Sequence, residues 1–215
     1  MILMFIGISG SGKDTQADLL SQKFSFFNVS TGDLYRSISS GDSEMQQLIK
    51  RTLNDGFSND MLTYGLLQVY LKYKYIEFQN IILNGVIRRY SQVGLLDSVL
   101  NDLNLNLDYV FNFVLKDKKI VIERLINRLY CPICKVNYNL KTNPPKIENV
   151  CDICKSELRR REDDNPESIL KRINAFKSDC NEIIAEYKSR GILIDIDASQ
   201  DIIEIHKEIL RYLNL

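Results

Sequence analysis

Apolar and polar positions fall in blocks along this chain, and the blocks alternate in type. Met1–Ile6 is a short apolar run, followed by a glycine-rich turn. From Lys13 a helical pattern begins, in which Ala17, Leu19, Leu20 and Phe24 share one apolar face. Phe26–Ser30 reads as a second strand, and Thr31-Gly32-Asp33 as a turn and cap before Leu34-Tyr35-Arg36. Helical spacing returns over Ser43–Leu53 and Asp60–Tyr73, punctuated by Asp55-Gly56. Asn80–Leu83 predicts a third strand ending at Gly85, Gln92–Leu103 an amphipathic helix, and Tyr109–Leu115 a fourth strand. Lys118–Leu129 follows as helix. The rhythm breaks over 130–162, which holds four cysteines and no helical period. Pro166–Ser189 then predicts a long helix with its proline in the tolerated first turn. Ile192–Ile196 is the fifth strand, and Asp201–Leu213 the closing helix.

Five apolar strands alternating with helices predict an α/β fold, a parallel sheet with helices on both faces. Such folds bind ligands beyond the carboxyl ends of their strands. The glycine loop, Ser30-Thr31, Asn84-Gly85 and Asp197-Ala198 all stand at those ends.

Composition narrows the setting. At 215 residues the chain fits one domain with room for an inserted subdomain, and 45% hydrophobic residues suffice for a sizeable core. Lys plus Arg (28) equals Asp plus Glu (28), so nothing global argues for a nucleic-acid or anionic-membrane partner. No apolar stretch approaches the roughly 20 residues that span a bilayer. Met1–Ile6 lacks the basic flank and length of a signal peptide. A cytoplasmic setting follows as the expectation, and with it reduced thiols.

Two stretches carry chemistry. Gly7-Ile8-Ser9-Gly10-Ser11-Gly12-Lys13-Asp14-Thr15-Gln16 follows a strand and opens a helix. Such a loop gathers backbone N–H groups at the positive end of a helix dipole and suits polyphosphate. Gly7, Gly12 and Lys13 meet the G-x-x-x-x-G-K-[ST] pattern; Asp14 stands where Ser or Thr belongs, with Thr15 one place late. A flexible Gly/Ser turn would explain the glycines but not the lysine or the preceding strand. The second stretch pairs Cys131-Pro-Ile-Cys134 with Cys151-Asp-Ile-Cys154 across sixteen residues. Two such knuckles bring four thiolates into the tetrahedron of structural zinc. Two disulfides and iron–sulfur ligation remain as alternatives. Cys180 and His206 read as a core cysteine and a surface histidine.

Together these residues resemble the adenylate kinase family in its long-lid, zinc-containing form, over essentially the whole chain. Gly7–Gln16 is similar to the family's phosphate loop, and Ser30–Arg36 to its monophosphate-binding segment. Leu83-Asn84-Gly85-Val86-Ile87-Arg88-Arg89-Tyr90-Ser91-Gln92 corresponds to the stretch the family writes L-D-G-F-P-R-T-x-x-Q. Asn143-Pro144-Pro145-Lys146 lies in the lid as the family has it, and Arg161-Glu162-Asp163-Asp164 with Arg172 resembles the hinge after it. The resemblance implies a P-loop type five-stranded parallel sheet: core 1–29, 59–129 and 163–215, a helical monophosphate-binding insertion 30–58, and a zinc lid 130–162. It implies reversible phosphoryl transfer, ATP + AMP to 2 ADP, with Mg2+. The catalytic cations would be Lys13, Arg88, Arg128, Arg161 and Arg172. ATP would meet Gly10, Ser11, Gly12, Lys13, Asp14, Thr15, Arg124, Tyr138 and Ala198. The monophosphate would meet Thr31, Arg36, Gly85, Arg88 and Gln92, with Gln92 reading the base edge. Structural zinc would sit on Cys131, Cys134, Cys151 and Cys154. Both insertions would close over the nucleotides and exclude water, so that the phosphoryl reaches the monophosphate rather than being hydrolysed. The family suggests a monomer, with no nucleic-acid or membrane partner.

The chain departs from the pattern at Asn84 for Asp, Val86-Ile87 for Phe-Pro and Ser9 for Pro, and Phe57-Ser58 also differ from the family's usual residues. Base choice therefore stays open: AMP is favoured, while UMP, CMP or a deoxynucleotide is an alternative. A catalytically weak nucleotide-binding module that uses its ribbon on a partner is another. Asp14 is a hard oxygen ligand at a helix N-terminus and is expected to supply the Mg2+-directed charge that Asn84 lacks.

Overall fold

The computed structural model describes residues 1–31, 34, 60–134, 136–161 and 164–215. The expected helix Ser43–Leu53, the Asp55-Gly56 turn, and Arg36, Phe57 and Ser58 lie outside these residues. Strand β1 (Ile2–Gly7) leads through the glycine loop into α1 (Lys13–Phe24), and β2 (Phe27–Ser30) follows. Next come α2 (Asp60–Phe78), β3 (Ile81–Asn84), α3 (Gln92–Asp102) and β4 (Tyr109–Val114). Helix α4 (Lys118–Ile126) precedes two short strands, β5 (Arg128–Tyr130) and β6 (Asn137–Asn139). Helix α5 (Pro166–Ser189), β7 (Leu193–Asp197) and α6 (Ile202–Leu213) close the chain.

β1, β2, β3, β4 and β7 form one five-stranded parallel sheet in the order β2-β3-β1-β4-β7. β1 and β2 both run parallel to β3, with Ile2 and Phe27 alike opposite Ile81. β1 is an unbroken apolar run because both faces of a parallel sheet are covered; Leu3, Met4 and Phe5 are fully buried. The five expected strands and the helices placed on described residues appear, with boundaries shifted by a few residues. Helix α2 runs on to Phe78 rather than stopping at Tyr73.

One expectation fails more substantially. The helical spacing of Lys118–Leu129 does not persist to its end. Helix α4 stops at Ile126, where the Asn127 side chain donates to Glu123 O at 2.9 Å. Arg128–Tyr130 then turns into strand and pairs antiparallel with β6, Leu129 opposite Tyr138. Pairing with the cysteine segment outweighs the local helical period.

The chain forms two compact units. The first comprises Met1–Ile6, Leu20–Asn112 and Asp179–Ile194; the second Gly7–Leu19, Phe113–Ser178 and Asp195–Leu215. The core of the first gathers Met4, Val29, Leu67, Leu83, Leu96 and Tyr187, among others. The second has a core of Ile8, Val121, Leu125, Ile169 and Ile173, which ties the glycine loop to α4 and α5. A separate cluster joins Leu129, Cys131, Tyr138, Cys151 and Leu158. Among the described residues, no helix is long and apolar enough to cross a membrane.

Candidate active site

The glycine loop is built on backbone that other residues tolerate poorly. At Gly7 φ is 152°, and a Cβ there would stand 2.9 Å from both Phe113 Cβ and Ser11 Oγ. Gly12, at φ 90°, lies in the left-handed region, where a side chain costs about 1–2 kcal/mol. The turn is closed by Ser11 N–H donating to Ile8 O at 3.1 Å. Ser11 is fully buried, and its Oγ has no hydrogen-bond partner among the described residues. Lys13 opens α1, its Nζ 3.9 Å from Asp14 Oδ1.

This loop forms one wall of a cavity of about 560 Å³, within the range of small-molecule sites. Gly10, Ser11, Gly12, Asp14 and Thr15 line it from the loop, Arg124 and Arg128 from α4 and β5, and Tyr138 from β6. Arg124 spans the cavity's edge. Its guanidinium donates to Ala198 O at 2.8 Å and Gly10 O at 3.4 Å, and burial lowers its pKa from the ordinary value. At the far side, Asp201 caps α6 by accepting from Ile203 N and Glu204 N, both at 2.9 Å.

Beside the cavity, Arg128 and Arg172 meet on one carboxylate. Arg128 donates to both oxygens of Asp164, at 2.7 and 2.6 Å, and Arg172 to Oδ1 at 3.0 Å. Asp164 is almost wholly buried, at 3% side-chain exposure, and Arg128 is at 10%. Arg161 lies instead on the β5–β6 hairpin, donating to Asn137 Oδ1 at 3.2 Å and covering the Tyr130 ring at 5.6 Å.

The first unit holds the rest. The buried Gln92 accepts at Oε1 from Arg88 N and Arg89 N, at 2.7 and 3.1 Å, and donates from Nε2 to Asp60 Oδ1 at 2.9 Å. Arg89 bridges both Asp60 oxygens at 2.9 and 3.0 Å. The Arg88 side chain is exposed, Asn84 is buried and Thr31 half-buried. Gly85 donates to Phe5 O at 3.0 Å.

Four cysteines gather in the second unit. The sulfurs of Cys131, Cys134, Cys151 and Cys154 all lie within 4.8 Å of one another. Neighbouring pairs stand at 3.3, 3.4 and 3.8 Å. A tetrahedral metal with bonds of about 2.3 Å puts its sulfurs roughly 3.8 Å apart. Burial pushes the Cys131 and Cys151 thiols up, yet hydrogen bonds outweigh it and hold both below the ordinary range. Burial and donation to its neighbours push Cys134 up to about 12. Four sulfurs at this spacing, unlinked by disulfides, fit a bound metal.

The adenylate kinase family model matches residues 5–192. The chain belongs to the adenylate kinase family. It is 32% identical over 214 residues to the adenylate kinase of Caldanaerobacter subterraneus subsp. tengcongensis, covering 99% of this chain and 96% of that relative. The adenylate kinase of Archaeoglobus fulgidus is 34% identical over 210 residues, 97% of this chain and 96% of the relative. In this adenylate kinase family member, Lys13, Arg88, Arg128, Arg161 and Arg172 all fall within the matched stretch.

The sequence pattern named Asp164 only within the hinge motif and Asp60 only as a helix start, and did not single out Asn137, yet these side chains hold Arg128, Arg172, Arg161 and Gln92. It also misplaced His206, which is 6% exposed rather than on the surface. His206 Nδ1 lies 3.0 Å from Gln16 Oε1, and Gln16 Nε2 donates to Ile202 O at 2.8 Å. The spacing of His206 with Ile209 and Leu213, both buried, was the available signal. Cys180 is buried as expected, and Arg159 and Arg160 are exposed.

Proposed function

We propose that this chain catalyses reversible phosphoryl transfer, ATP + AMP to 2 ADP. Family membership carries the reading, and the cavity walled by the phosphate loop supports it. ATP occupies that cavity, its phosphates on the N–H groups of Gly10, Ser11 and Gly12 and on Lys13, Asp14 and Thr15. Its base reaches Arg124, Tyr138 and Ala198. AMP is held by Thr31, Arg36, Gly85, Arg88 and Gln92. Core 1–29, 59–129 and 163–215, monophosphate insertion 30–58 and lid 130–162 are the working parts, with zinc on the four cysteines.

The chemistry asks for little beyond position and positive charge. A transferring phosphoryl spreads its charge over its oxygens, and arginine forks match them in pairs. Lys13, Arg88, Arg128, Arg161 and Arg172 supply that charge in a chain of zero net charge. No general base is required, because the accepting phosphate is already an anion. Bound with ATP, Mg2+ would supply further positive charge to the phosphates. Asp14 directs charge towards that ion in place of Asn84. Wild type should need less Mg2+ for half-maximal rate than Asp14→Gly, and Asn84→Asp should lower the requirement; equal Mg2+ curves for wild type and Asp14→Gly would end this assignment.

The test is a coupled assay of the purified protein with ATP, Mg2+ and each monophosphate in turn. AMP is expected to be the best acceptor. ATP binding without turnover on any acceptor would instead support a catalytically weak binding module. The protein is expected to be a cytoplasmic monomer.

A further inference from the structure

We infer that the β5–β6 hairpin makes the ATP site depend on the metal cluster, with Tyr138 as the positioning residue that joins them. The inference rests on the reading of the cavity as the ATP site. Paired residues on antiparallel strands share a face, and successive residues alternate. On one face of the hairpin, Leu129 and its partner Tyr138 pack with Cys131, Cys151 and Leu158. On the other face the pairs are Arg128 with Asn139 and Tyr130 with Asn137. Each of these touches a cationic residue or is one. Arg128 holds Asp164, Asn139 Nδ2 donates to Arg124 O at 2.9 Å, and Asn137 and the Tyr130 ring hold Arg161. The hairpin, three paired residues long, therefore carries sulfurs on one side and, on the other, Arg128 and the side chains that touch Arg124 and Arg161.

Tyr138 fastens the hairpin to the metal side. Its hydroxyl accepts from Asp152 N at 2.9 Å and stands 3.5 Å from Cys151 Sγ, within reach to donate a hydrogen bond to that sulfur as a metal-bound thiolate would require. Only 6% of the residue is exposed. Although Tyr138 borders the cavity, its hydroxyl serves the cysteine cluster. A side chain in that position orients a ligating thiolate, and losing such a partner costs roughly tenfold or more in metal affinity. With the cluster loosened, the hairpin loses the core that fixes its register, and Asn137 and Asn139 no longer hold Arg161 and the Arg124 backbone in place.

The experiment compares Tyr138→Phe and Asn137→Ala with wild type, each loaded with zinc and desalted. Zinc release to a chromophoric chelator, the thiolate bands of the Co2+-substituted proteins, and calorimetric ATP affinity are read in parallel. Tyr138→Phe is expected to release zinc about tenfold faster. It should shift the Co2+ bands, and its ATP affinity should fall as zinc leaves. Asn137→Ala is expected to keep wild-type zinc release and Co2+ bands yet bind ATP about tenfold more weakly, as a lost charge-assisted hydrogen bond implies. Zinc stripped from wild type should weaken ATP binding likewise, a route that does not depend on either variant folding. Unchanged zinc release in Tyr138→Phe, or wild-type ATP affinity unaffected by stripping, would overturn the inference. Failure of zinc-loaded wild type to bind ATP would refute the reading of the cavity instead.

Discussion

Asp164 organises more of the site than any cation it holds. Its buried carboxylate is the common partner of Arg128 and Arg172, and Arg128 is itself largely enclosed. Removing one member of a buried ion pair leaves the other charged and uncompensated, at a cost of about 3–5 kcal/mol. Asp164→Ala should therefore lower the free energy of urea unfolding by about that amount and reduce kcat/KM as well. A loss below 1 kcal/mol would mean that Arg128 finds water or another acceptor. The arginines were singled out in the sequence because they match positions in the motifs of the adenylate kinase family. Asp164 was not: an acidic residue within Arg161-Glu162-Asp163-Asp164 gives no sign of which carboxylate turns inward. Gly12 shows the opposite case. The motif pattern singles it out, and its φ of 90° lies where an L side chain is strained. Gly12→Ala is expected to cost about 1–2 kcal/mol of stability and to weaken ATP binding in calorimetry.

At the scale of elements, the periodic patterns placed strands and helices well and their ends less well. Apolar runs such as Ile2–Gly7 report burial on both faces, which any parallel sheet demands. The end of α4 is a different matter. Its last predicted residues satisfy a helical period, but Arg128–Tyr130 gains more by pairing with Asn137–Asn139, seven to eleven residues on and beyond the first knuckle. Such a partner is invisible to a local window. The cap of α6 is local and correspondingly clear, with Asp201 just ahead of Ile202. Because Asp201 also lines the cavity, Asp201→Ala should reduce stability by about 1 kcal/mol and raise KM for ATP while leaving KM for AMP unchanged. A change in both constants would mean that the cap supports more than its own end of the site.

For the whole molecule, the fold class followed from the order of elements, and the family from motifs whose order and spacing agree over nearly the full chain. The four-cysteine cluster was legible too, since two C-x2-C knuckles constrain their own geometry. Its thiolates also carry a stability consequence. Stripping the metal leaves four sulfurs at contact distance without a cation, so metal-free protein should melt at a lower temperature in calorimetry. Cys131→Ser should match it and gain nothing from added zinc. Equal melting temperatures with and without metal would remove the cluster from the stability account. What composition could not convey is how a chain with no net charge concentrates cations. The answer lies in Lys13, Arg124, Arg128, Arg161 and Arg172, all within the second unit.

The most direct test follows phosphorus itself. ATP, AMP and Mg2+ are mixed with the wild-type protein and with Lys13→Met, and ADP is followed by 31P NMR. Wild type should convert the pair to ADP until the three nucleotides reach equilibrium, from either direction. Lys13→Met should reach the same equilibrium about 10²–10³ times more slowly, as loss of one preorganised charge implies. ATP hydrolysis to phosphate with AMP untouched, or equal rates for the two proteins, would contradict this reading.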